Sequence, residues 1–269
     1  MNRVYHYDLT AAVVAEALVA RGVEREESAR IAILVARSDA MVDHSRPDHY
    51  PISLADKYGR VPVITQVYPG WATRIVMGGG AWPIMAACHK WHFDKGNGWR
   101  VVELALAYEP DLMVRQNWLA LGAHLHTAQD TDGPHAPYTG YPSEVNYYAT
   151  PSERLDWYEA AIRIRKGWTW GHMLDPEADK IERCRGGATY SARRLFALVS
   201  GKPFLTGSVF GSSSCPTDSS AVTAARSAYS DKDLGLRARR IFQFATGEDL
   251  PGFAPFEGDD LVQWWGVVR

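Results

Sequence analysis

The sequence is poor in cysteine and lacks an apolar leader. Its 269 residues include three cysteines, Cys88, Cys184 and Cys215, and none of them forms a C-x-x-C pair. An odd number of cysteines cannot form a complete set of intramolecular disulfides, which favours a reducing compartment. No apolar segment follows a basic start, so no secretory signal is predicted. We therefore expect a cytoplasmic protein.

An excess of charge of either sign is also missing. The chain has 29 Lys+Arg against 31 Asp+Glu, a formal net charge of −2, with no long block of one sign. A nucleic-acid binder that neutralises phosphates would carry a basic surplus. No run of about 18 uninterrupted apolar residues exists, so no membrane span is predicted. The expected partner is a small-molecule substrate, neither nucleic acid nor a membrane, and the oligomeric state is left open.

Strand alternation is nearly absent, with residues 60–67 as the single candidate. Apolar residues recur instead at helical spacing. Helices are predicted over residues 10–21, 24–42, 81–93, 111–130, 151–167, 188–200 and 231–246, the first of them with Asp8 or Thr10 as its N-cap. Between residues 44 and 80, prolines and a triple glycine break every period, which predicts a long irregular loop. The predicted fold is mainly α, a single-domain helical bundle over residues 1–269 with a long irregular loop insertion.

Motifs of several common enzyme classes are missing too. The chain has no G-x-S-x-G nucleophile elbow, no P-loop lysine motif and no G-x-G-x-x-G after a strand. Nine histidines are present, and their positions carry the strongest signal. His126 and Asp130 are four residues apart on a predicted helix, so both side chains can reach one metal ion. His135 follows a Gly-Pro stop and can turn back to the same site.

Other segments carry the same residue types. His6 precedes the first predicted helix, Asp39 and Asp43 lie one turn apart near the end of the second, and His92 follows His89 by three residues. Helical bundles build metal sites from imidazoles and carboxylates that converge from several helices. Each residue alone is more often a core or surface group. Together they indicate a metal centre of zinc, iron or manganese, since imidazoles and carboxylates suit all three.

The order of these motifs resembles a known superfamily. Five features follow the order seen in the zinc-dependent phospholipase C and P1-type nuclease superfamily. They are H-x-x-L-T at His6 to Thr10, the helix-ending Asp43, the H-F pair at His92, H-x-x-x-D at His126 and Asp130, and the later His135. They are also similar to an uncharacterised bacterial family with H-Y-x-x-T and L-H-T-x-x-D motifs. The resemblance covers roughly the first half of the chain.

This resemblance implies an all-helical fold and a cluster of two or three zinc ions that hydrolyses phosphate esters. It implies that Asp43, His92, His126 and Asp130 hold one ion, that Asp130 bridges to a second ion held by His6, and that His135 serves a neighbouring ion. The superfamily closes one site with an H-x-x-x-E pair, which is missing shortly after His135. His172 and Asp175, three residues apart, are the nearest replacement.

Three functions are compatible with these residues. The first is a metal-dependent hydrolase that activates water against a small soluble substrate, a phosphoester or an amide, with Asp39 or His44 as general base or as a group that orients a ligand. The second is a di-iron oxygenase on the same His/Asp helices. The third is a non-catalytic helical protein with a structural metal. Metal identity distinguishes the second from the first.

Overall fold

The computed structural model describes residues 3–45, 99, 102, 115–132, 150, 152–156, 181–202, 204 and 218–268. This part of the chain is mainly α, as predicted, and contains no strand. It opens with the π-helical segment Val4–Leu9. The α-helices are α1 (Thr10–Ala20), α2 (Arg25–Ser45), α3 (Arg115–Asp132), α4 (Ile181–Ser200), α5 (Ser220–Ser227), α6 (Asp231–Thr246) and α7 (Gly258–Val268). Within these ranges, no helix has both the length and the apolar character that a membrane crossing requires.

The chain is helical before the predicted start of its first helix. The residue before Thr10 already has helical backbone angles, so the prediction that Asp8 or Thr10 caps α1 is wrong. Asp8 instead pairs with Arg239 of α6 at 2.8 Å, and the Thr10 hydroxyl lies 3.1 Å from the carbonyl oxygen of Tyr5, within hydrogen-bond distance. A hydroxyl that bonds a preceding carbonyl continues a helix rather than starting one. Turns of π-helix are rare in proteins, but those that occur are often found at functional sites. Here the π-helical segment carries His6 into the interior.

Helix α1 lies at the centre of the described fold. It contacts α2, α4, α5 and α6, and eight of its eleven residues are buried. Its sequence, TAAVVAEALVA, is apolar on almost every side, which is typical of a helix surrounded by others. Gly22, with a φ of 92°, allows the chain to turn just after the helix. One cluster of buried apolar side chains joins α1 to all the other helices named above.

Helices α2 and α3 approach each other unusually closely at Gly122. A Cβ atom at this position would lie 2.3 Å from the carbonyl oxygen of Val35 and 2.7 Å from Cβ of Ser38. Only glycine permits that separation of the two backbones. Because Asp39 follows Ser38 and His126 lies one turn beyond Gly122, the close approach sets the distance between these two polar side chains.

Helix α7 holds the same pair of helices together from outside. The indole Nε1 of Trp264 donates to the Ser38 hydroxyl at 2.9 Å, and that hydroxyl donates to the carbonyl oxygen of Leu119 at 2.5 Å. Arg115 of α3 pairs with Asp260 of α7 at 2.7 Å. Trp264 is fully buried, so its polar nitrogen needs this partner. The contacts of α7 therefore fix α2 relative to α3.

The remaining helices show where the sequence patterns succeed and fail. The helix predicted at residues 231–246 is confirmed with the same bounds, and its N-cap Ser230 accepts from the backbone N–H of Asp233. Helix α4 begins at Ile181, seven residues earlier than predicted. Gly186 and Gly187 have low intrinsic helix propensity, but both are buried, and tertiary packing outweighs that propensity. Helix α2 continues to Ser45, past the predicted start of the loop. Helices α5 and α7 were not predicted.

Several predictions fall outside the described residues. These are the strand at 60–67, the helix at 81–93 and most of the loop at 44–80. Of the helix predicted at 151–167, the structure describes 152–156, which are helical. Thr150 and Glu153 form a capping box there, with reciprocal bonds of 2.8 and 3.3 Å between backbone N–H groups and side chains. Glu153 also pairs with the fully buried Arg193 of α4 at 2.7 Å.

Candidate metal centre

Five predicted site residues meet where the π-helical segment lies against α2 and α3. His6 comes from the π-helical segment, Asp39 and Asp43 from α2, and His126 and Asp130 from α3. Helices α2 and α3 each contribute two residues four positions apart, which places both side chains of a pair on the same face. The two imidazole rings are stacked, with centroids 4.1 Å apart and planes 25° from parallel. The structure therefore brings these five predicted site residues together.

Asp39 contacts the Nδ1 atoms of both histidines. Its Oδ1 lies 2.8 Å from Nδ1 of His6 and 3.3 Å from Nδ1 of His126. A carboxylate only accepts hydrogen bonds, so Nδ1 of each ring faces an acceptor. When one nitrogen of an imidazole donates in this way, the other is available to bind a metal ion. Asp39 therefore has the position of a group that orients both rings.

The Nε2 atoms of both histidines face carboxylates at larger distances. Asp130 places Oδ1 at 3.5 Å from Nε2 of His6 and Oδ2 at 3.4 Å from Nε2 of His126. Asp43 places Oδ1 at 3.5 Å from Nε2 of His126. Hydrogen bonds between nitrogen and oxygen are usually 2.7–3.2 Å long. These three separations are longer than that range, and Nε2 of His6 makes no hydrogen bond within the described residues.

The same separations fit a metal ion. Four ligands about 2.0–2.1 Å from a tetrahedral ion lie about 3.3–3.4 Å from one another. The three separations named above, from an imidazole Nε2 to either oxygen of Asp130 or to Oδ1 of Asp43, are 3.4–3.5 Å and lie close to this value. One ligand atom each from His6, Asp43 and His126 also falls within 4.8 Å of the other two. The donor set, two imidazoles with carboxylates and no thiolate, is suited to zinc, iron or manganese.

Burial gives this cluster a strong electrostatic preference for a cation. His6, Asp39 and His126 are completely buried and Asp130 is 1% exposed. The cluster contains three carboxylates, those of Asp39, Asp43 and Asp130, and only two imidazoles to balance their negative charge. A buried carboxylate is costly unless a positive charge or hydrogen bonds compensate it. A divalent cation would supply the missing positive charge.

The pKa values of the cluster follow from these contacts. Burial alone would lower the pKa of His6, but the charge of Asp39 and the close contacts with the carboxylates of Asp130 and Asp39 outweigh it and raise that pKa to about 10. Burial alone would raise the pKa of Asp130, but its contacts with His126 and His6 bring it well below the ordinary value. Without a metal, His6 is therefore protonated and Asp130 ionised near neutral pH.

Asp43 lies at the solvent edge of the cluster. Its side chain is 48% exposed, unlike those of the two histidines that it accompanies. His44 follows it and is also exposed, with its ring 5.8 Å from that of Phe253 in an edge-to-face contact. A catalytic ion needs a coordination position that a substrate or water can reach. In the described part of the chain, the Asp43 side of the cluster offers that access.

Two polar residues of the site were missed by sequence reasoning. Gln129 places Oε1 at 2.7 Å from Nδ1 of His6, and its Nε2 donates to the Thr10 hydroxyl at 2.9 Å. The Thr10 hydroxyl in turn shares its hydrogen between Oδ2 of Asp39 and the carbonyl oxygen of Tyr5, each at 3.1 Å. Thr10 belongs to the H-x-x-L-T motif and Gln129 precedes Asp130. Their position close to candidate ligands in the sequence was the one signal that could have identified them as part of the site.

The other predicted ligands fall outside the described residues. These are His92, His135, His172 and Asp175, and the proposed third metal and its last ligand pair depend on them. The roles given to Asp39 and His44, and the resemblance to the phospholipase C and P1-type nuclease superfamily, stay predictions. A scan of family models, a search of curated proteins and a search of solved structures each found no match to this chain.

Proposed function

We propose that this protein is a metal-dependent hydrolase that acts on a small soluble substrate, a phosphoester or an amide. His6, His126, Asp43 and Asp130 would hold the metal, with zinc as the first candidate and iron or manganese as the alternatives. A centre of two or three ions would draw its further ligands from His92, His135 and the His172/Asp175 pair. The near-neutral net charge favours a small substrate over a long polyanion.

One observation carries this proposal. Nε2 of His6 and Nε2 of His126 each lie 3.4–3.5 Å from an oxygen of Asp130, and Asp43 adds a second oxygen at 3.5 Å from His126. These separations are too long for good hydrogen bonds and match the spacing of ligands around a metal ion. Asp39 supports the same arrangement from the Nδ1 side, as carboxylates behind metal-binding histidines commonly do.

The residues divide the work of such a site in a definite way. When bound, a divalent cation would polarise the bond to be cleaved and make water a stronger nucleophile at neutral pH. Asp39 is buried and already bonded to Thr10 and both histidines, so it orients ligands and does not reach a substrate. His44 is exposed beside Asp43 and is therefore the better candidate for exchanging a proton with a bound substrate.

Metal content and hydrolysis test the proposal together. We expect protein purified without chelator to contain at least one equivalent of zinc, iron or manganese, and to hydrolyse members of a panel of small phosphoesters and amides. His126→Ala should lose both properties. His124→Ala is the matched control, since it changes the same residue type two positions earlier on α3 and should keep both. Metal-free protein, or His126→Ala protein with full activity, would contradict the proposal.

A structural metal is the second candidate. The complete burial of His6 and His126 favours it, because structural ions are usually closed off by protein. The exposure of Asp43 favours catalysis. Bound metal that adds no activity on the panel, but whose removal lowers the melting temperature, would support the structural role. Bound iron with oxygen uptake on substrate addition would instead indicate an oxygenase.

A further inference from the structure

Thr10 and Gln129 lie beside the metal centre without contacting the Nε2 atoms that would bind metal. Thr10 is 1% exposed and Gln129 is 6% exposed. Buried hydroxyl and amide groups must find hydrogen-bond partners inside the protein. Both residues find them in the cluster, because Thr10 contacts Asp39 and Gln129 contacts His6. This placement gives them a direct connection to the metal ligands.

Donor and acceptor chemistry fixes the direction of each bond in this network. The Asp39 carboxylate accepts at 2.8 Å from Nδ1 of His6 and at 3.1 Å from the Thr10 hydroxyl. The one hydrogen of the Thr10 hydroxyl is shared between two acceptors at 3.1 Å, Oδ2 of Asp39 and the carbonyl oxygen of Tyr5, so the Thr10 oxygen accepts from Nε2 of Gln129 at 2.9 Å. The Gln129 amide then has one orientation, with Oε1 at 2.7 Å from Nδ1 of His6.

We infer that Gln129 is a positioning residue, which holds the Nδ1–H group of His6 and thereby turns Nε2 of the same ring toward Asp130 as a metal ligand. This inference rests on the proposed function, since it concerns the orientation of one of its ligands. Asp39 alone defines the ring poorly, because its Oδ1 is shared with Nδ1 of His126 at 3.3 Å. A second acceptor on another helix fixes the plane of the ring.

The choice of glutamine over glutamate follows from the same contacts. A glutamate at position 129 would still accept from His6 but could not donate to Thr10. It would compete with Asp39 for the Thr10 hydrogen and would add a carboxylate beside the buried ones of Asp39 and Asp130. The neutral amide satisfies His6 and Thr10 together without adding charge.

The experiment compares Gln129→Met with the wild-type protein in two measurements. Methionine keeps the length of the side chain but removes the acceptor. We expect a 10–100-fold loss of Co²⁺ affinity, the usual effect of losing a partner behind a metal-binding histidine. In metal-free protein, we expect the Hδ1 resonance of His6 to exchange slowly with solvent in the wild type and to broaden or disappear in Gln129→Met.

Two further variants separate positioning from packing. Gln129→Glu restores the acceptor and should recover the Hδ1 resonance of His6, which a packing role would not require. Gln116→Met makes the same change at an exposed position of the same helix and should leave both measurements unchanged. If Gln129→Met fails to fold by circular dichroism, Thr10→Val decides the matter, since it removes the group that orients the amide and should also lower Co²⁺ affinity.

The outcomes distinguish this inference from the proposed function. Wild-type Co²⁺ affinity or an unchanged Hδ1 resonance in folded Gln129→Met would overturn the role of Gln129 while leaving the metal site in place. Wild-type protein that binds no Co²⁺ would overturn the proposed function. The Hδ1 resonance would then still test whether Gln129 holds the ring, because that measurement uses metal-free protein.

Discussion

Gly122→Ala perturbs the close approach of α2 and α3 on which the proposed metal centre depends. The new Cβ would lie 2.3 Å from the carbonyl oxygen of Val35, where an ordinary contact is 3.4–4 Å. The two backbones must therefore separate by about 1 Å at this point. Alanine favours a helix over glycine by about 1 kcal/mol, whereas inserting a carbon into a packed interior costs about 1–3 kcal/mol or more. The clash involves backbone atoms that cannot rotate away, so the cost should be the larger effect.

We therefore expect Gly122→Ala to lower the free energy of unfolding by about 1–2 kcal/mol in urea denaturation. It should also weaken metal binding, because the same Cβ would lie 3.0 Å from the backbone nitrogen of Asp39. Gly235→Ala on α6 is the matched control. Its Cβ would meet nothing closer than the Asp8 carboxylate at 3.6 Å, so helix propensity should dominate and stability should stay or rise. Equal, neutral effects of the two variants would refute the reasoning.

Three further predictions follow from buried charges and packing. The pKa of His6 is about 10 in the folded protein against an ordinary 6.5, so its stabilisation of metal-free protein is complete below pH 6.5 and is lost as pH rises toward 10. Urea unfolding at several pH values measures this decline in stability, and His6→Gln should make the pH dependence flatter. Glu153→Ala leaves Arg193 buried without its partner and should cost about 3–5 kcal/mol in urea unfolding, whereas Glu27→Ala at the exposed pair with Arg30 should cost less than about 1 kcal/mol. Trp264→Phe removes the bond to Ser38 and should reduce both melting temperature and metal affinity; an unchanged affinity would show that α7 does not fix the site.

The parts of the site that could be predicted are those with a local pattern. Asp39 with Asp43, and His126 with Asp130, are four residues apart within one helix, and helical spacing alone places each pair on one face. The two pairs face each other because α2 and α3 cross at Gly122. In the sequence, a single glycine at position 122 does not indicate where two helices cross. That these four residues lie on two helix faces could therefore be predicted, but the distances between the two pairs could not.

The parts that could not be predicted depend on contacts between distant residues. Gln129 and Thr10 are 119 positions apart, and nothing in either neighbourhood indicates that they share a hydrogen bond. The π-helical turns that carry His6 inward also lack a sequence signal. Helix α5 is a case where a signal existed, because Ser219 caps it by accepting from the backbone N–H of Val222. Its eight residues are too short for an apolar period to indicate a helix.

Anomalous diffraction at the zinc absorption edge, on crystals grown with zinc and without chelator, tests the central claim most directly. The account predicts an anomalous peak bounded by Nε2 of His126, Nε2 of His6 and the carboxylates of Asp43 and Asp130, about 2.0–2.2 Å from its ligand atoms. The same crystals of His126→Ala should lose that peak. Fully ordered His6, His126 and Asp130 side chains with no peak among them, or with the peak held by other residues, would contradict it.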